Sequence, residues 1–318
     1  MQKPNVEAAA GVETGLSRIE WPTVALAVVI YGMWGLTIWF WRVIPLPLLA
    51  VLGGWAVAWQ MSLQHEAIHG HPTRSRRIND ALACWAPSLW LPYESYRRSH
   101  LAHHDDARLT DPLDDPESYY WTAEQWERLG PAGRVLIHAQ STLLGRMLIG
   151  PLWMILHFWT GLLRDAAQGI GDSRRVVVVH LARCVPIVIW VFGVCDVSVV
   201  TYLFAYVYCG TGFALIRSFA EHRAACAVER RTAIVENASL LGLLFLNNNL
   251  HAAHHARRGL AWYHLPAYYR AHRAELLQAN GGLLYSGYFD VARRYLFRPH
   301  DLPLHPGLGA QVNPDQAA

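Results

Sequence analysis

Hydrophobic and polar positions fall in long blocks. Apolar runs cover about Val24 to Phe40 and Leu48 to Leu63, parted by Arg42 and the turn residues "IPLP". Two more cover Val176 to Cys195 and Val197 to Phe219, parted at Cys195-Asp196. Each run is close to the ~20 residues that carry a helix across a bilayer. The breaks are short, so the pattern predicts two helical hairpins, with spans at about 24–42, 46–64, 176–195 and 197–219. Trp34, Trp39 and Trp41 suit a membrane-interface belt at the first turn. Three other apolar stretches do not meet the requirement. Residues 81–93 are too few and hold Pro87 and Pro92, which fits a re-entrant or interfacial piece. Residues 143–163 are broken by Arg146, Gly150, Pro151 and His157, and predict an amphipathic helix lying on the membrane surface. Residues 238–246 should pack on the other helices.

The hairpins impose a parity. The first returns the chain to its starting side at His65, and the second delivers it to the same side at His222. Every histidine-rich segment then sits on one face, and a true span at 143–163 would spoil this. Arg74, Arg76, Arg77, Arg97 and Arg98 follow the second run closely, which marks that face as cytoplasmic. Residues 1–22 are polar, with no apolar signal core, and read as a leader that is disordered or lies on the surface. The main domain is then 23–299, followed by a tail at 300–318.

Composition supports a membrane protein with a polar part on one side. The chain is 53% hydrophobic and only 16% charged, against about 25% charged in soluble domains. A net charge of +3 gives no case for nucleic acid. Lys3 is the only lysine, an arginine bias that points to a bacterial genome and hence an inner membrane. The cysteines Cys84, Cys184, Cys195, Cys209 and Cys226 form no C-x-x-C and read as buried thiols in a reducing setting.

The chemistry lies in histidine. "HEAIH" places His65 and His69 at i, i+4, with His71 just beyond as a possible tenth member. "HLAHH" places His100, His103 and His104 on one helical side, and "HAAHH" repeats this with His251, His254 and His255. His222 follows the last long run. Nine imidazoles exceed the four ligands of a tetrahedral zinc and suit two metals. Imidazole alone does not choose among iron, copper, nickel and zinc. His138, His157, His180, His264, His272, His300 and His305 fall outside these clusters.

"HEAIH", "HLAHH" and "HAAHH" resemble the three histidine boxes of the membrane fatty acid desaturase and hydroxylase superfamily, from about Val24 to Arg270. "TDPLDDPES" after the second box and "HLPAYYR" after the third look like its acyl desaturase branch. Glu221-His222 resembles the extra pair of its alkane hydroxylase-like members. One departure is the first box, which has three intervening residues where many acyl-CoA desaturases have four. "HPGL" at 305–308 is too isolated to mark a fused cytochrome b5 domain.

The resemblance implies an all-α membrane fold whose cytosolic helical cap holds two non-haem irons on the nine histidines. It implies an enzyme that takes O₂, electrons from a ferredoxin- or rubredoxin-like donor with its reductase, and an acyl-chain lipid. Desaturation removes two hydrogens, whereas monooxygenase (hydroxylase) or ketolase chemistry leaves oxygen on an alkyl, acyl or carotenoid substrate, and oxidative decarboxylation yields a terminal alkene. Carboxylates beside the ligands would fix their tautomers. Glu66, Glu221 and Asn248 are candidates, and so are Asp106 and Asp111 from the acidic run that also holds Asp105, Asp114 and Asp115. Trp90, Tyr93 and Trp262 are candidates for a substrate entrance.

Two rival readings remain. H-E-x-x-H on a helix also makes a zinc peptidase, with Glu66 as general base. That reading leaves both H-x-x-H-H clusters idle. A metal transporter would want polar residues inside the spans, which hold few.

Overall fold

The structure, a computed structural model, describes residues 19–307, without the side chain of Asp106. The predicted leader up to residue 18 and the tail from residue 308 lie outside the described residues.

Helices carry almost the whole architecture. α1 (Trp21–Trp39) and α2 (Leu46–Ile68) make the first hairpin. α3 (Arg76–Ala83) and α4 (Tyr93–His103) follow. The acidic loop then leads to α5 (Ala123–Arg128), α6 (Pro131–Gln140), α7 (Leu143–Leu148) and α8 (Gly150–Gln168). The second hairpin descends through α9 (Ser173–Val188) and a π-helical turn at Ile189–Val194. It returns through α10 (Val199–Tyr202), a second π turn at Leu203–Tyr208, and α11 (Cys209–Glu221). β1 (Ile234–Val235), α12 (Ser239–Leu244), α13 (His251–Ala256) and α14 (Leu265–Ala279) come next. β2 (Leu284–Tyr285) and α15 (Tyr288–Tyr295) complete the fold, with β1 and β2 paired in parallel, Ile234 against Leu284.

Four segments among the described residues are long and apolar enough to cross a membrane: Trp21–Trp39, Leu46–Ile68, Ser173–Val194 and Val199–Glu221. They are the four spans the sequence predicts. Val28, Leu36, Val178, Leu181 and Val200 are exposed on them, as lipid-facing positions should be. The two hairpin turns meet at one end, where Arg42 pairs with Asp196 and Trp41 donates to the Cys195 carbonyl. The helix ends that bear histidine therefore gather at the opposite end.

Two boundaries differ from expectation. α2 runs to Ile68, not to 64, because Gln60 and Gln64 turn inward and bond the Ala83 and Trp85 carbonyls. His65 thus lies inside the helix. The 143–163 stretch is two helices with a break at Ile149-Gly150, and neither is among the four candidate spans. α12 packs on α2 as expected, with Trp59 and Ser62 donating to the Leu243 and Leu244 carbonyls. The cysteines are free thiols, and Cys226 is exposed where burial was expected.

α2 and α11 cross closely because glycine faces side chains at both helices. A Cβ on Gly210 would stand 2.6 Å from the Val57 Cβ, and one on Gly54 2.9 Å from the Cys209 Cβ. Small residues permit such approaches between membrane helices. Gly210→Leu must push α11 off α2 and should cost ~1–3 kcal/mol or more. A thermal melt in detergent reads this directly, and an unchanged melting temperature would contradict the close crossing.

Candidate metal centre

Four segment ends converge. α2 ends in His65 and His69, and α4 ends in His100, His103 and the capping residue His104. α11 is closed by His222 in an extended conformation, and α13 is built around His251, His254 and His255. The C-terminal ends of α2, α4 and α11 carry partial negative charge, which favours a cation there.

The nine histidines form two sets. His65, His69, His100, His104 and His254 make one, and His103, His222, His251 and His255 make the other. Within each set the ligand nitrogens lie within 4.8 Å of one another. Each H-x-x-H-H box is divided between the sets. α4 gives His100 and His104, one turn apart, to the five-histidine set and His103 to the four. α13 does the reverse, giving His251 and His255 to the four and His254 to the five. Neighbouring residues on a helix point about 100° apart, so adjacent histidines diverge.

The nitrogen geometry fits bound metal. An imidazole has one N–H, so a ring whose Nδ1 donates must present a bare Nε2 lone pair. His103 Nδ1 faces Asp115 at 2.9 Å, His222 Nδ1 faces the Arg231 carbonyl at 3.2 Å, and His251 Nδ1 faces the Asn248 Oδ1 at 3.1 Å. Yet Nε2 of His222 lies 2.9 Å from Nε2 of both His103 and His251. For His222 and His251, both kept neutral by burial, two lone pairs at that distance need a cation between them. In the five-histidine set His100 Nε2 lies 2.9 Å from His69 Nε2 and 3.0 Å from His104 Nε2. Bonds of roughly 2.1 Å place neighbouring ligands of an octahedron about 3 Å apart. The buried His65 Nε2 has no hydrogen-bond partner in the protein.

The polar groups around the imidazoles only partly match expectation. Glu221 reaches His251 Nδ1 at 3.3 Å and is held by Asn248 and Arg217, each at 3.0 Å. Glu66 lies 3.7 Å from His65 Nδ1 and accepts from the Trp262 N–H at 3.1 Å. That puts Glu66 on the Nδ1 side of its neighbour, away from the meeting Nε2 atoms, and the peptidase arrangement is not present. Asp111 bonds none of the nine clustered histidines among the described residues. Its Oδ1 accepts from the Leu113 and Asp114 N–H groups and closes its own turn. Asp105 and Asp114 turn to Arg108, and the side chain of Asp106 lies outside the described residues.

From the acidic run it is Asp115 that meets a histidine of the two sets, His103, together with Glu117, whose Oε1 lies 3.3 Å from His100 Nδ1. Sequence reasoning missed Glu117, although its "PES" stood inside the quoted motif, and it missed Arg217 altogether. His71 is not a tenth member of either set, because it bonds Glu20 at 2.7 Å.

Burial first, and neighbouring imidazoles second, push His69, His104, His222, His251 and His254 down, His69 to about 2. Burial also lowers His100, against the pull of Glu117. For His103 burial is outweighed by Glu117 and Asp115, which push it up to about 9. Burial likewise works against ionised Glu117, yet His100 and His103 hold that carboxyl at about 2.

Stripped of metal, the protein should lose stability as pH falls below about 6.5, where unfolded imidazoles take up protons that the folded ones refuse. His103 works the other way, its contribution being complete below about 6.5 and lost as pH rises through 9. Six histidines outweigh one. Melts of chelator-treated protein between about pH 5 and 8 read the sign, and a flat profile would contradict the burial of the set.

A cavity of about 900 Å³ reaches the centre from between the helices. Its lining includes His103 and His222 of the four-histidine set and no member of the five. Met61, Trp90, Met154, Phe158 and Phe245 give it an apolar wall. Trp90 is in that wall as expected, whereas Tyr93 bonds Asp80 and the Trp262 ring bonds Thr23.

Four helices fit to cross a membrane and nine imidazoles in two sets define a membrane protein with two places for a metal. The family model described as "Fatty acid desaturase" matches residues 39–287, and the chain belongs to that family, a membrane oxidoreductase superfamily of desaturases and hydroxylases. No curated protein matches the chain significantly.

Proposed function

We propose that the protein is an O₂-dependent di-iron desaturase of fatty acyl chains, with the five-histidine and four-histidine sets each holding one iron. The observation that carries this is the donor set, which is all imidazole, divided five and four, and open to an apolar cavity on the four-histidine side. A tetrahedral zinc has no use for five ligands and is saturated by four. A six-coordinate metal would keep one open position in the first set and two in the second, and the desaturase family's O₂ chemistry is what points to iron among such metals.

The irons would supply the power to break an unactivated C–H bond. The residues of the chain do the rest. Asp115, Glu117, Glu221 and Asn248 hold the imidazole rings in the tautomer that presents Nε2. Met61, Trp90 and Phe158 keep water from the chain and fix which carbon faces the centre. Desaturation converts –CH2–CH2– with O₂, two electrons and two protons into –CH=CH– and two waters. The electrons come from an external ferredoxin- or rubredoxin-like donor, and the centre faces the cytoplasm, as the arginines after α2 suggest. Hydroxylation is the second reading, favoured by Glu221 beside His222 and His251.

Lipid extracts of cells expressing the protein, compared with cells expressing His254→Ala, test this by mass. A species lighter by two hydrogens that the variant lacks is the expected result. One heavier by an oxygen selects the hydroxylase reading, and an alkene shortened by the carboxyl carbon selects decarboxylation. Iron-loaded protein that yields none of these with a donor system and acyl substrates overturns the proposal.

A further inference from the structure

Three arginines line the cavity, and two of them have counter-charges. Arg98 pairs with Asp172 and Arg217 with Glu221. The third, Arg146, breaks the apolar run expected to lie on the membrane surface, and it is only 8% exposed. Its Nε donates to the Gln140 carbonyl at 3.0 Å, and its guanidinium stands 3.7 Å from the centre of the Tyr119 ring. Its Nη1 has no hydrogen-bond partner, and none of the ion pairs among the described residues includes it. Gln140, 6% exposed on the same wall, has an Nε2 that is also without a partner.

A guanidinium taken out of water without a counter-charge is strongly disfavoured. The face of Tyr119 offsets only part of that. Burial pulls Arg146 below its ordinary range, but an arginine remains charged in a protein. A buried cation and a buried amide donor, both unmatched on one cavity wall, are complementary to an anion that bonds through oxygen. The planar guanidinium fork suits a carboxylate.

The place is also right. The Tyr119 hydroxyl lies 3.2 Å from Ser218 Oγ, one helical turn before His222. A Cβ on Gly150 would touch both the Leu215 and Arg146 side chains, so Arg146 adjoins α11 there. The apolar wall of the same cavity is free to take a hydrocarbon tail.

We propose that Arg146 and Gln140 form the anchor for the terminal carboxylate of a single-chain fatty acid, so that the substrate enters as the free acid and not as an ester or thioester. This rests on reading the cavity as the acyl-chain site. An ester or thioester carbonyl is neutral and would leave the Arg146 charge unmatched.

The test is equilibrium binding to the purified, detergent-solubilised protein, with palmitate, methyl palmitate and palmitoyl-CoA as probes. Wild type should prefer palmitate to its methyl ester by roughly 10- to 100-fold, the range of hydrogen bonds to a charged group. Arg146→Met should erase that preference while leaving the ester's affinity unchanged. Gln140→Glu supplies Arg146 with an internal carboxylate and should erase it too, with a melting temperature at or above wild type. This second variant decides the matter if the first does not fold.

Equal affinity of wild type for acid and ester overturns the anchor. So does a preference that survives in Gln140→Glu, or tight palmitoyl-CoA binding that neither variant alters. Iron content of the same preparations reports separately on the proposed function. An acid preference without iron keeps the anchor and removes the di-iron reading, and iron without an acid preference does the reverse.

Discussion

His254→Ala should weaken the iron of the five-histidine set and spare the four-histidine set, while His255→Ala, one residue on, should do the opposite. The two side chains leave the same turn of α13 in different directions. His254 Nε2 lies 3.2 Å from His104 Nε2, whereas His255 Nε2 lies 3.2 Å from His251 Nε2. His255→Ala, which leaves three imidazoles in its set, should fall from about two irons per chain toward one, and His254→Ala, which leaves four, should keep its second iron but hold it less tightly. Turnover should drop by ~10³-fold or more in both, since a metal contributes several kcal/mol to the reaction it assists. Metal analysis gives the stoichiometry, and iron spectroscopy tells which set is left. Folded variants that weaken the same iron, or neither, would refute the division of the boxes.

Loss of the Asp115 carboxylate should be the most damaging change that removes no ligand. Its two oxygens lie 2.9 and 3.1 Å from His103 Nδ1 and accept from the Thr110 and Glu117 N–H groups at 2.8 and 2.9 Å. Asp115→Ala frees the His103 ring and orphans two N–H groups of the loop. Iron affinity of the four-histidine set should fall about 10- to 100-fold, and each buried orphan adds ~1–3 kcal/mol of instability. The five-histidine set should change far less. Glu117→Gln should be the milder variant, because Glu117 is partly exposed and its contact with His100 is longer, 3.3 Å. Chelator competition separates the sets, and equal weakening of both irons in Asp115→Ala would argue against this account.

The four spans and the nine histidines were legible because both obey helical arithmetic. An apolar block of the right length crosses a bilayer, and offsets of three and four share a helix side. The assignment of each histidine to its set was not legible. It depends on how α4 and α13 are rotated against each other, and only packing sets that. The choice of Asp115 and Glu117 over Asp111 turned on a loop fold in which Asp111 closes its own turn. Nothing local in the sequence separates these carboxylates. Arg146 was misleading for a related reason. An arginine in a broken apolar run has the pattern of a surface helix, and its burial follows from α7 packing against α11.

The unequal use of the boxes also gives the two sites different histories during synthesis. Four of the five histidines in one set, His65, His69, His100 and His104, belong to the first third of the chain, and only His254 comes late. Three of the four in the other set, His222, His251 and His255, belong to the last third, and only His103 comes early. Chains emerge and fold from the N-terminal end. A nascent protein holds most of the first site before the second hairpin exists, whereas the second site cannot form until α13 has been made. The five-histidine set is thus largely in place before the second hairpin, and both sets are completed only when α13 is made.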